Sequence, residues 1–194
     1  MPNAARRKIY ERYKQGYLTK LAPGIFAPRE ELEPLPPWDF YRLRCAAVGY
    51  AYPRYTLVGK SAAAIWEIPY GEVPERVEVA RLQGDGGLRN RLVKVRSLAG
   101  IPGQLLQSYG QVCVTSPLQT VLDIGRWEKL SDAVTAGDHC LREKIFTFRE
   151  LDMLLPQLKT FSGVGKLNNL IQLVHGASES PRESALRVAM WEQG

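Results

Sequence analysis

The first 28 residues constrain the fold more than any other part of the chain, because they carry most of its net charge. Residues 1–20 hold six lysines and arginines against Glu11 alone, a net charge of +5 out of +6 for the whole chain. On a helix these cations lie mainly opposite an apolar and aromatic side, formed by Ile9, Tyr10, Tyr13 and Tyr17. The pattern predicts an amphipathic helix with one docking face and one cationic face.

A β-hairpin is predicted directly after this helix. Gly16 is suited to ending a helix, because glycine tolerates the left-handed backbone that a helix end often needs. Two short segments, 17–21 and 25–27, then flank Pro23-Gly24, a pair favoured in type II turns. A helix followed by a hairpin is the order of the second half of a winged helix-turn-helix module.

The cations of this segment are predicted to contact the phosphates of double-stranded DNA. The candidate DNA-binding residues are Arg6, Arg7, Lys8, Arg12, Lys14 and Lys20. Each exposed lysine or arginine releases counterions from the DNA and adds affinity that does not depend on base sequence. The alternative is an amphipathic helix whose basic face is simply solvated, as most charge runs are.

The overall composition is typical of a globular protein. Hydrophobic residues make up 45% and charged residues 24% of the chain, and the isoelectric point near 9.3 favours an anionic partner. The apolar runs are far shorter than the roughly 20 residues of a membrane span. The three cysteines, Cys45, Cys113 and Cys140, have no paired spacing of a metal or redox motif. We therefore expect a cytoplasmic protein without a membrane partner.

No catalytic residue, metal site or cofactor is predicted. The Gly-Lys-Ser triplet at 59–61 lacks the upstream glycine of a phosphate-binding P-loop, because Arg54 occupies that position. Ser61 is instead predicted to cap a helix. The Asp-His-Cys triplet at 138–140 cannot converge on one metal ion, since adjacent helical residues point in different directions. His175 has no evident nucleophile or carboxylate beside it.

The chain after residue 28 predicts an α+β fold. Residues 29–37 are rich in proline and glutamate and predict an extended linker. Residues 38–50 predict a core helix. Residues 75–98 alternate with period two and predict a β-hairpin, with Glu78 on its polar face and a glycine-rich turn at 83–87.

The C-terminal half is predicted to be helical. A short strand at 111–115 is followed by Ser116-Pro117, which is typical of a helix start. Two later helices begin with capping-box spacings, in which a Ser or Thr stands three residues before a Glu. These pairs are Thr147 with Glu150 and Ser180 with Glu183.

Three sequence patterns in this order resemble the AbiEi family of antitoxins and transcriptional regulators. The patterns are GYLTKL running into PGIFAP at 16–28, KSAAAIWEIP at 60–69 and VTSPLQTVLDI at 114–124. The resemblance implies DNA binding by an N-terminal winged helix, usually with repression of the protein's own operon. It also implies that an α/β domain neutralises a nucleotidyltransferase-like toxin.

This resemblance divides the chain into four parts. Residues 1–28 would be a partial winged helix, because only one helix precedes the wing, and residues 29–37 a linker. Residues 38–160 would be the AbiEi-like α/β domain, and residues 161–194 would be C-terminal helices. One departure from the family is Gly59, which stands where relatives often have a histidine. The oligomeric state stays open.

An alternative function comes from the segment SESPRESALR at 178–187. It resembles the opening helix of an endonuclease-like domain related to very-short-patch repair nucleases, of the PD-(D/E)XK type. The resemblance would place Glu183 in a metal-binding active site, but the later acidic residues would lie beyond Gly194. A lone carboxylate cannot hold and activate a catalytic ion. This alternative makes the chain the N-terminal arm of such a protein and not itself an enzyme.

Overall fold

The computed structural model has the expected α+β architecture. It describes residues 3–81, 88, 90–97, 105–154, 156 and 163–194. These residues form nine helices and seven strands, arranged in one two-stranded and one five-stranded sheet. None of the described helices combines the length and apolar character needed to cross a bilayer.

The helices and strands have the following bounds. The helices are α1 Asn3–Lys14, α2 Arg29–Leu32, α3 Pro37–Ala51, α4 Gly59–Trp66, α5 Pro117–Trp127, α6 Leu130–Arg142, α7 Phe148–Leu154, α8 Gly165–Leu173 and α9 Pro181–Glu192. The strands are β1 Leu18–Ala22, β2 Ile25–Pro28, β3 Thr56–Leu57, β4 Val77–Ala80, β5 Val93–Arg96, β6 Leu106–Tyr109 and β7 Val112–Thr115.

The N-terminal helix and its hairpin form as predicted. Strands β1 and β2 pair antiparallel, and their turn has Gly24 at a φ of 77°, as the Pro-Gly pair requires. The ring of Phe26 lies 5.4 Å from the ring of Tyr10 and 5.3 Å from that of Tyr13. These aromatic contacts hold the hairpin against α1. The winged-helix classification of this unit stays a prediction.

The predicted linker is helical at its start. Residues Arg29–Leu32 form α2, and Leu32 is buried in the same core as Leu21 and Tyr41. Pro37 occupies the first turn of α3, where a proline costs no hydrogen bond. The expectation of an extended segment is therefore wrong for α2, while the proposed domain division stays a prediction. Its boundary at residue 160 lies outside the described residues.

The five-stranded sheet has the order β5-β4-β3-β7-β6. Strands β4 and β5 were expected to form a hairpin, but they pair parallel, with Val77 opposite Val93 and Val79 opposite Val95. The hairpin prediction is wrong because alternation locates strands without giving their direction, and residues 81–92 are enough for a crossover. The predicted turn at 83–87 lies outside the described residues. An antiparallel hairpin does occur between β6 and β7.

The helical C-terminal half is confirmed, and α5 is its centre. The Ser116 hydroxyl accepts a hydrogen bond from the Gln119 amide, so Ser116 caps α5 as predicted. All residues from 119 to 126 are buried, and α5 packs against α4, α6 and α8. The Thr147–Glu150 capping box is also present, with the Glu150 carboxylate accepting from the Thr147 amide at 2.7 Å.

Candidate nucleic-acid interface

The predicted DNA-binding cations lie mostly on the solvent side of α1. Five of the six are exposed and one, Lys20 on β1, is half-buried; the five are Arg6, Arg7, Lys8, Arg12 and Lys14. Ile9 and Tyr10 are half-buried, as expected for the docking side. Tyr17 was placed on that docking side, but α1 ends at Lys14 and Tyr17 is 62% exposed.

These cations are largely free of internal partners. Arg7 pairs with Glu11, with Nε and Oε1 3.0 Å apart, but the two side chains are 84% and 56% exposed. Such a solvated pair contributes about 0 to 1 kcal/mol and is easily exchanged for another anion. The Arg6 guanidinium lies 5.9 Å from the Tyr10 ring. Within the described ranges, Lys8, Arg12, Lys14 and Lys20 form no ion pair.

A second group of charges is buried, and the sequence analysis did not identify it as a group. Glu78 on β4 was expected on the polar face of a hairpin, but it is only 2% exposed. Its Oε1 accepts from Arg96 Nε at 2.8 Å, and its Oε2 accepts from the Lys60 amide at 3.1 Å. Because β4 is an interior strand of a covered sheet, a polar side chain on either face needs a partner inside the protein.

Lys60, in the Gly-Lys-Ser triplet, belongs to the same buried group. Its ammonium donates to Asp132 Oδ2 at 2.7 Å and lies 3.9 Å from Glu128 Oε2. Arg96 also donates to Glu128. Glu78 and Lys94 lie opposite each other on β4 and β5, and this pair of opposite charges is the feature that could have indicated the group. It can be recognised in the sequence only when the parallel register of the two strands is known.

Ser61 does not cap α4, which is a correction to the prediction. The helix begins at Gly59, with Val58 at the N-cap position, so Ser61 lies inside the first turn. Its hydroxyl accepts from the Glu78 amide and bonds the Tyr41 hydroxyl, both at 2.7 Å. Burial raises the pKa of Tyr41 far above its usual range, so this hydroxyl stays protonated. Ser61 therefore joins α3, α4 and β4.

Gly59 is required by its surroundings. Its φ of 52° is left-handed, and a Cβ at this position would lie 2.8 Å from Glu78 Oε2 and 3.3 Å from the Trp127 ring. A histidine, the residue expected there from the family resemblance, would need this space. The Gly-Lys-Ser triplet thus allows the start of α4 to pack closely against Glu78 and Trp127.

The buried charge cluster, defined here as Lys60, Glu78, Arg96, Glu128 and Asp132 together with Lys94 at its solvent edge, is balanced. Three cations face three carboxylates, so the cluster has no net charge with which to attract an anion. A cavity of about 270 Å³ lies beside it and is lined by charges of both signs. The cluster ties β4 and β5 to α4 and α6, which is a structural role.

The Asp138 carboxylate of the Asp-His-Cys triplet is engaged by hydrogen bonds from other segments of the chain. Asp138 is 1% exposed and accepts from the Ser184 hydroxyl at 2.6 Å, from the His175 amide at 2.9 Å and from Arg187. Burial alone would raise the pKa of Asp138, but these hydrogen bonds lower it overall. Among the described residues, no group of three or more His, Cys, Asp or Glu is placed to hold a metal ion.

Glu183 has the capping role that its spacing predicts. The Ser180 hydroxyl accepts from the Glu183 amide at 3.3 Å and donates to Glu183 Oε1 at 3.2 Å. The other carboxylate oxygen accepts from the Glu179 amide at 2.9 Å. The carboxylate is therefore engaged at the start of α9.

Asp123 leads to a prediction about pH. It is fully buried on α5, where burial, with a smaller contribution from Glu78, raises its pKa to about 7 despite hydrogen bonding from Gln119 and the charge of Arg126. A carboxyl whose pKa is raised by folding stabilises the protein below its unfolded pKa, and this contribution is lost as pH rises through 7. In the wild type, the free energy of unfolding should fall by up to about 1.4 kcal/mol per pH unit as Asp123 ionises, and we expect Asp123→Asn to remove this loss.

Urea unfolding followed by circular dichroism at pH 5 and pH 8 measures the Asp123 effect. The difference in stability between wild type and Asp123→Asn should shift in favour of the variant at pH 8. Asp152→Asn, which changes an exposed carboxylate on α7, is the control and should show no such shift. Parallel pH profiles for wild type and Asp123→Asn would contradict the prediction.

Comparisons of this chain with protein-family models, with curated proteins and with solved structures found no match.

Proposed function

We propose that the protein binds double-stranded DNA through the cationic side of α1 and the adjoining β1–β2 wing. The observation that carries this proposal is the exposure of five cations on one helix that is held against a hairpin. By contrast, the buried charge cluster is neutral as a group. The excess positive charge of the protein is therefore presented where a polyanion can reach it.

Phosphate contact is the mode of binding that this geometry supports. A helix of 12 residues with exposed lysines and arginines can neutralise several phosphates and release their counterions. Such contacts position a protein on the duplex without reading its sequence. Affinity should therefore depend strongly on salt and weakly on base sequence.

The experiment is fluorescence anisotropy of a labelled duplex across a salt series. The triple variant Arg7→Ala, Lys8→Ala and Arg12→Ala should bind more weakly, and its log–log salt slope should fall by up to about 3, close to one per lost phosphate contact. A matched control replaces three exposed arginines elsewhere, Arg54, Arg91 and Arg149, with alanine. The proposal is wrong if wild type does not bind at low salt, or if the two triple variants bind equally.

The regulatory half of the proposal is that the protein acts as an antitoxin and repressor of a toxin–antitoxin system. Its support is the order of the three AbiEi-like sequence patterns, which lie in the β1–β2 hairpin, in α4 with the residues that follow it, and in β7–α5. The expected partner is a nucleotidyltransferase-like toxin. Co-expression of the protein with this toxin should rescue growth, and the two proteins should co-purify. If both experiments fail, the antitoxin proposal is wrong, while the DNA-binding proposal is not affected.

The endonuclease-arm alternative gains no favouring observation from the described residues. Its key residue, Glu183, has both carboxylate oxygens occupied by hydrogen bonds at the start of α9. A capping role accounts for the Ser-Pro-Arg-Glu sequence there. DNA binding through α1 is therefore the function that the geometry supports best.

A further inference from the structure

A cavity of about 550 Å³ lies where α1 ends and the hairpin begins. Three of its lining residues are cations that come from three different elements. Lys14 is the last residue of α1, Lys20 lies within β1, and Arg29 is the first residue of α2. None of the described residues that line the cavity is acidic. We call this site the three-cation pocket.

The positive charge of the three-cation pocket is not compensated within the described part of the protein. The side chains of Lys14, Lys20 and Arg29 form no ion pair there. The nearest acidic residues along the chain, Glu11, Glu30 and Glu31, are exposed and do not line the pocket. Three like charges around one cavity repel each other, so an anion that enters relieves this repulsion.

Backbone hydrogen bonds hold the walls of the pocket in place. The amides of Gly16 and Tyr17 donate to the last carbonyls of α1, with N–O distances of 3.0 and 3.1 Å. The Arg29 amide donates to the Tyr17 carbonyl at 2.9 Å, which joins the start of α2 to the segment between α1 and β1. Carbonyls in the last turn of α1 thus accept backbone hydrogen bonds. These bonds hold the chain segments that bear the three cations in position relative to each other.

We propose that the three-cation pocket binds a phosphate group. A phosphate matches it in charge, and lysine and arginine are the side chains that commonly bind phosphate oxygens. On the proposed DNA interface the ligand would be one backbone phosphate of the duplex, and this identification rests on the proposed function. Arg29, which the sequence patterns did not single out, would then position the protein on DNA.

The first test measures phosphate binding by the whole chain. Inorganic phosphate is titrated into the ¹⁵N-labelled protein, and saturable shifts are expected at the amides of Gly16, Thr19, Lys20 and Arg29. Arg29→Ala should weaken binding about tenfold, as the loss of a charge-assisted hydrogen bond implies. Arg149→Ala, the same charge change on α7, should not. The absence of saturable shifts, or equal behaviour of the two variants, overturns the proposal.

The second test separates the pocket from DNA binding itself. In duplex anisotropy, Arg29→Ala should reduce the salt slope by about 1 relative to Arg149→Ala, and Arg29→Lys should recover most of it. If phosphate binds but wild type does not bind duplex, the pocket stands with free phosphate as its ligand and the proposed function fails. If duplex binding is present and Arg29→Ala changes neither assay, the pocket is overturned while the proposed function stands.

Discussion

Replacing Asp138 with alanine is expected to lower the free energy of unfolding by about 3 kcal/mol, the lower end of the range for breaking a buried ion pair. The buried carboxylate joins α6 to α9 by accepting from Ser184 and Arg187, and it also accepts from the amides of His175 and Gly176. Without it, these donors lose their acceptor. The lower end applies because the Arg187 side chain is 27% exposed and can be partly hydrated.

Urea unfolding followed by circular dichroism checks the Asp138 prediction. Ser184→Ala removes one of the four donors and should lower the free energy of unfolding by only about 1 kcal/mol, so the two variants should differ clearly.

The Asp138 interactions also depend on pH. Folding lowers the pKa of Asp138, so its contribution to stability is present above the pKa of the unfolded state and is lost as pH falls through the pKa of the folded state. A loss below about 1 kcal/mol for Asp138→Ala, typical of exposed pairs, would show that Asp138 does not anchor α9.

Replacing Glu78 with alanine should have an effect of similar or greater size, about 3 to 5 kcal/mol. Its carboxylate is the common partner of Arg96, Lys94 and the Lys60 amide. Arg96 also lies 4.8 Å from the Trp127 ring, which covers one side of its guanidinium. Removal of Glu78 therefore leaves the Arg96 guanidinium, whose side chain is only 16% exposed, without one of its two carboxylate partners.

A double-mutant cycle of Glu78→Ala and Arg96→Ala measures this coupling. We expect an interaction free energy of about 1 to 3 kcal/mol from thermal or urea unfolding, because the two residues share one network. The exposed pair of Arg7 and Glu11 gives the matched control cycle, with an expected coupling below about 1 kcal/mol. Equal coupling in both cycles would argue against a structural role for the buried charge cluster.

The local elements of the fold could be predicted from the sequence. Helix α1, the Pro-Gly hairpin, the start of α5 after Ser116 and the two capping boxes all depend on residues within a few positions of each other. Their backbone and capping preferences are short-range, so a single chain segment contains the information. The parallel pairing of β4 with β5 was not predictable in this way, because the direction of a strand depends on a crossover and not on its own alternation.

Some residues of the candidate site could likewise be predicted from the sequence, and others could not. The six candidate DNA-binding residues could be named because charge and helical spacing are visible along the chain. Arg29 could not, since it comes near Lys14 and Lys20 only when the hairpin folds back and α2 starts beside the end of α1. Glu78 was assigned to a polar face for a similar reason, because its partners lie on β5 and at the start of α4.

The sequence by itself determined where the positive charge lies and where the longer helices are, though not the short helix α2, because charge and hydrogen bonding within a turn are properties of neighbouring residues. Only the tertiary structure decided which charges are available to a partner. On α1 the cations remain in solvent, whereas Lys60, Lys94 and Arg96 are matched by carboxylates that approach from other elements. Burial removes water from such groups and makes pairing obligatory, and no single segment of the chain shows which residues will be buried together.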